Sequence, residues 1–149
     1  MSLNPINEVK YRYRLASNHF KRAEQLFKLG DWSGAVSSAQ LAVENFAKAV
    51  ISVYEIPTWS HDPSDQLEGV IAKVPSELTS KAVRLASIAR TLAPEHGRSS
   101  YGEPEKGLTP SDIYRESHAV DALGKAREAK ELAEEILRRL CRNQQFQNR

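Results

Sequence analysis

The chain has 149 residues, 40% of them hydrophobic and 27% charged, an ordinary globular composition that suits one domain and rules out two large ones. Lys and Arg total 21 against 19 Asp and Glu, a formal net charge of +2, too weak a basic excess for a constitutive, sequence-independent DNA binder. Cys141, the single cysteine, excludes an internal disulfide and a cysteine-rich zinc site. No apolar run approaches the roughly 18 residues of a membrane span, and the N-terminus turns charged too early for a secretory signal, so a cytoplasmic protein is expected.

Apolar residues at Ile6, Val9, Tyr13, Ala16, Phe20, Ala23 and Phe27 step by three and four, the period of one helix face. Asn4-Pro5 supplies a cap and first position, and Gly30-Asp31 a stop. A second helix is predicted from Trp32 to Tyr54 with Asp31 as N-cap. Two apolar stripes, one running through Ala35, Ala39, Ala42 and Phe46 and one through Val36, Val43, Ala47 and Val50, make it central in a bundle. Gln40, Glu44 and Lys48 recur every four residues and so share one edge of it. Trp32 and Trp59 flank this helix and read as packing residues.

A connector through Ile56-Pro57 and His61-Asp62 leads to a short helix from Ser64 to Lys73, which Pro75 ends. The next helix begins at Ser76, buries Leu78, Ala82, Leu85, Ala86, Ala89 and Leu92, and stops near Ala93 before Pro94. Residues 94–109, with three glycines and two prolines, read as a surface loop, a length that favours a functional or mobile segment. A long last helix is predicted from Pro110 to Arg142, with a polar, frayed tail from Asn143 to Arg149. The expected architecture is all-α: an up-and-down four-helix bundle over residues 1–142 with one additional short helix.

Several familiar chemistries are absent from the pattern. The glycine spacing of Gly97 to Gly102 matches a phosphate-binding loop, but Glu103-Pro104 stands where a Lys-Ser/Thr pair would hold phosphate and magnesium. The histidines His19, His61, His96 and His118 never stand four apart, so no metal ligands and no cofactor are expected. Arg90 and His96 survive as a candidate catalytic pair. His96 would act as general base or acid on a ribose hydroxyl, and Arg90 would stabilise charge building on phosphate. The plain alternative is an arginine complementing its helix end and a solvated histidine. Arg98 and Tyr101 offer a cation and a stacking face for a nucleotide, diluted by Glu95, Glu103 and Glu105. Glu44 and Lys48 either face a ligand cleft or form a surface pair worth about 0.2–0.5 kcal/mol. His61-Asp62 reads as a turn or capping pair, and His118 as a helix residue with a partner in the bundle.

The run from Gly30 to Val36, leading into Ala39-Gln40-Leu41-Ala42-Val43-Glu44-Asn45-Phe46-Ala47-Lys48-Ala49, resembles the HEPN domain family, whose second helix carries A-Q-x-A-x-E-x-x-x-K-A. His61-Asp62 is similar to the family's connector, and Arg98-Ser99-Ser100-Tyr101-Gly102 to its Ser-Arg-Tyr-Pro segment. The resemblance implies a helical homodimer that acts beside a minimal nucleotidyltransferase, as in toxin–antitoxin pairs, and that binds nucleotide or RNA. It also implies, as an alternative, a metal-independent endoribonuclease with an Arg-x(4–6)-His motif, whose spacing Arg90 and His96 satisfy. Thr91 replaces the family's polar Asn after the arginine, and Pro94 interrupts the segment. A structural dimer without catalysis is the third reading.

Overall fold

The computed structural model describes residues 5–142, so the expected cap at Asn4 and the expected polar tail lie outside the described residues. Helix α1 spans Pro5–Lys28 and buries Val9, Tyr13, Ala16, Phe20 and Ala23, the stripe read from the sequence. Its end is closed in two steps: the Gly30 amide donates to the Phe27 carbonyl at 3.0 Å and the Asp31 amide to Leu26 at 2.9 Å. Both bonds depend on a left-handed residue after the helix, and Gly30, at φ 76°, adopts that conformation without the steric cost of a Cβ.

Helix α2, Trp32–Ile51, starts at once, because the Asp31 carboxylate accepts from the Gly34 amide at 2.9 Å. It is buried around most of its circumference and packs chiefly against α1 and the long last helix. Ala35, Ala39, Ala42, Ala47 and Ala49 are fully buried along it, which lets neighbouring backbones approach closely. The helix stops three residues short of the expected Tyr54. Residues 52–54 form a turn instead, with the Glu55 amide bonded to the Ile51 carbonyl.

Helix α3, Ser64–Val70, is continued by a 3-10 turn over Ile71–Lys73, and a second 3-10 turn, Ser76–Leu78, leads into α4, Thr79–Leu92. Helix α4 packs on α3 and on the last helix. The buried hydrophobic residues of these helices form one core cluster. Tyr13 on α1 bonds Glu134 on the last helix inside it, and at the surface Arg84 grips Glu128 with two bonds of 2.7 and 2.9 Å.

Two expectations are corrected beyond Pro94. Residues 94–109 are no open loop: they hold α5, Glu95–Tyr101, a 3-10 turn at Pro104–Lys106 and a bridge between Glu103 and Leu108. Proline ends α4 yet suits the start of a new helix, where its missing amide has no intrahelical partner to lose. Gly102, at φ 69°, reverses the chain so tightly that a Cβ there would sit 2.2 Å from the Leu108 carbonyl oxygen.

The expected unbroken last helix is two: α6, Pro110–Ile113, and α7, Glu116–Leu140, separated by extended backbone at Tyr114 and Arg115. Tertiary burial overrides helix continuity here. Tyr114 is buried and bonds Glu95 of α5, while the His118 ring accepts from the Arg115 amide at 2.9 Å and caps the new helix. Among the described residues the structure is all-helical apart from that single bridge, and no helix is long and apolar enough to cross a membrane.

Trp32 packs edge-on against Phe27, as expected, but Trp59 does not pack: it is 94% exposed. With Ile56, Tyr54 and Arg12 it borders a groove of about 750 Å³.

Candidate functional site

Residues four apart on a helix lie one above another, so Gln40, Glu44 and Lys48 form a polar ladder on α2. The ladder is buried, at 2%, 6% and 3% exposure respectively. The surface-pair reading of Glu44 and Lys48 therefore gives way. The connector after α2 lays His61 against the ladder, and α5 brings His96 to it.

Burial of these groups requires that their polar atoms find partners. Lys48 Nζ donates to Glu44 Oε2 at 3.1 Å. Gln40 Nε2 donates to Glu44 Oε1 at 3.2 Å and to the His61 carbonyl at 3.4 Å. With its amide nitrogen so placed, Gln40 Oε1 accepts from His96 Nδ1 at 3.1 Å, and Glu44 Oε1 accepts from His61 Nδ1 at 3.1 Å. The two imidazoles stack face to face, centroids 3.6 Å apart and planes 18° from parallel.

Burial pushes the His96 pKa below its usual value, and repulsion from His61 adds to this, while Glu44 opposes it. His96 is thus held neutral near pH 7, with an unprotonated nitrogen able to accept a proton. Glu44, His61 and His96 each offer a metal-ligating atom, and these atoms lie within 4.8 Å of one another. Spacing along one helix could not reveal this group, because its members come from α2, the connector and α5.

The remaining candidates have other partners. Arg90 bonds Asp65 at 3.0 Å and Glu68 at 2.9 Å, both on α3, and shares neither with His96. Arg98, on the same short helix as His96, pairs with Glu95 at 3.3 Å and Glu103 at 3.1 Å and lies over the Tyr114 ring. Tyr101 is 75% exposed. Glu44, Lys48 and His96 are thus joined through Gln40, while Arg90, Arg98 and Tyr101 stand apart from that network.

Sequence reasoning missed His61 as a member of the cluster and took His61-Asp62 as a local capping pair. Asp62 makes a turn, its carboxylate accepting from the Ser64 amide at 3.0 Å, and α3 has no side-chain cap. The available signal was the family-like connector motif read together with the buried edge of α2. A cleft of about 250 Å³ adjoins α5, lined among others by Thr91, Glu95, Tyr114 and His118.

A family model, the HEPN domain, matches residues 9–144. The chain belongs to the HEPN domain family. Comparison with curated proteins and with solved structures gives no significant match.

Proposed function

From this membership and the site's geometry, we propose that the chain is a nucleotide- or RNA-related interaction domain. It works in the cytoplasm as a homodimer beside a minimal nucleotidyltransferase in a toxin–antitoxin-like pair, with α1, α2, α4 and α7 as an up-and-down bundle within one unit over residues 1–142. The observation that carries the reading is the His61–His96 stack on the Gln40–Glu44–Lys48 ladder. Buried polar groups are costly unless completely satisfied, and here they hold the His96 imidazole from the core side and bond the His61 imidazole, which is more than half exposed. Such a pair offers a ligand both a stacking face and hydrogen-bonding nitrogens, with the exposed Tyr101 ring presented from the same helix as His96.

The test is titration of ATP and of short single-stranded RNA into the native protein and into His61→Ala and Tyr101→Ala variants. Native mass and binding to a minimal nucleotidyltransferase would be read in parallel. Saturable binding that weakens about tenfold in His61→Ala is expected. A folded protein that is monomeric and binds neither ligand nor partner would sink the proposal.

The second reading, a metal-independent endoribonuclease, is favoured by one observation, the contact of His96 Nδ1 with Gln40 Oε1, which leaves the other ring nitrogen to exchange a proton. It requires Arg90 to leave Asp65 and Glu68 and reach the same phosphate as His96. Cleavage of structured RNA in EDTA, lost in both Arg90→Ala and His96→Ala, is the outcome that would establish it.

A further inference from the structure

We propose that Glu44, His61 and His96 form a binding site for a divalent transition-metal ion of the zinc class. The donor set is one carboxylate and two imidazoles, the ligands that borderline ions such as Zn2+ prefer and that Mg2+ and Ca2+ do not. One ligand atom from each residue lies within 4.8 Å of the other two. A tetrahedral ion with bonds of about 2.0–2.2 Å places its ligand atoms about 3.3 Å apart, so the three groups must draw together and one of the stacked rings must turn out of its present contact.

The surroundings are arranged as a metal site requires. Lys48 engages Glu44 Oε2 and so fixes the carboxylate with its other oxygen, Oε1, toward His61. Gln40 orients His96 through Oε1 and, through Nε2, is bonded to the His61 carbonyl. Such outer contacts set ligand direction and tune affinity. Two features oppose binding and set its limits. The Lys48 ammonium repels a second cation, and the nearly parallel rings run their in-plane lone pairs side by side. One ring must therefore turn for both to meet a single ion. His61 has room to do so, since its side chain is 55% exposed on the connector, whereas Glu44 is held in the core.

The inference does not rest on nucleotide or RNA binding, and its test reads metal alone. Tag-free protein, stripped with EDTA and dialysed, would be titrated calorimetrically with ZnCl2 and, separately, with MgCl2. Co2+ loading would be followed by its visible absorption, which is intense in a tetrahedral site. The expected result is saturable uptake of one Zn2+ per chain, no uptake of Mg2+, and binding at least about tenfold weaker in His61→Ala and in His96→Ala. Far-UV circular dichroism keeps the comparison to folded proteins. His61→Ala decides the matter if His96→Ala fails to fold, because the His61 side chain is exposed. Absence of saturable Zn2+ uptake by the folded native chain would overturn the proposal, as would uptake undiminished in His61→Ala. Half an ion per chain would also overturn it, placing the metal between two copies.

Discussion

His61 and His96 lie face to face, ring centroids 3.6 Å apart, although one belongs to the connector after α2 and the other to α5. Their contact is built on α2: Glu44 holds the first imidazole and Gln40 the second. Whatever the site binds, its shape is therefore set by a polar ladder inside the core. The ladder's integrity can be tested without knowledge of the ligand.

The Glu44–Lys48 pair is the most consequential element of that ladder. Both side chains are almost fully buried, so removing one charge leaves the other uncompensated in a low-dielectric interior. Glu44→Gln is expected to lower the unfolding free energy by about 3 kcal/mol, the size seen when one member of a buried pair is lost. Glu44→Gln combined with Lys48→Met should cost less than the single change. Urea unfolding of the three proteins measures this, and a single-variant loss of under about 0.5 kcal/mol would show that the pair is solvated.

Tyr13 and Glu134 join α1 to α7 through a buried hydrogen bond, with Lys130 on the same carboxylate at 2.9 Å. Burial and the adjacent Glu134 push the Tyr13 hydroxyl pKa up, so it stays a donor at any working pH. Tyr13→Phe preserves the ring contact with Phe46 and removes the hydroxyl. A loss of about 1.5–3 kcal/mol is expected, typical of a hydrogen bond to a charged group. Chemical denaturation with unchanged helicity is the measurement, and an unaltered midpoint would contradict it.

Gly102 controls the turn after α5. Its φ of 69° and the approach of the Leu108 carbonyl oxygen leave no room for a side chain. Gly102→Ala should destabilise the protein by about 1–3 kcal/mol, the range for a strained backbone position. Faster proteolysis between Tyr101 and Pro110 should accompany the loss. Gly107 also has positive φ but nothing near its missing Cβ, so Gly107→Ala should cost less.

His19 supplies a pH dependence alongside that of His96, whose pKa burial also lowers, and it is linked to the candidate site through Glu44. Burial lowers its pKa below the ordinary 6.5, Arg22 lowers it further, and Glu44 acts in the opposite sense. The unfolded chain consequently binds the proton first as pH falls. The stabilisation from neutral His19 is complete above about 6.5 and is lost as pH drops toward the folded-state value. The urea midpoint should fall between about pH 7.5 and pH 5.5, above the range where the paired carboxylates titrate. His19→Gln should shrink that fall, and an equal fall in the variant would assign the dependence elsewhere.

The sequence determined where most helices lie, because helix formation with one buried face is governed by a local period. Val9 through Ala23 lie inside as their spacing requires, and Gly30-Asp31 separates α1 from α2 through turn and cap bonds made within a few residues. Gln40, Glu44 and Lys48 were legible as one edge of α2, but whether that edge met water or protein depended on which segments covered it. Only the folded chain decided this, since His61 and His96 arrive from separate stretches and give the edge its partners. The same cause broke the last helix at Tyr114, where burial against α5 and the bond to Glu95 outweighed unbroken helical hydrogen bonding. It also left Trp59 in solvent, although composition alone would have buried it. Periodicity reports which face of a helix is apolar; the partner that meets a polar face is fixed by the packing of distant segments.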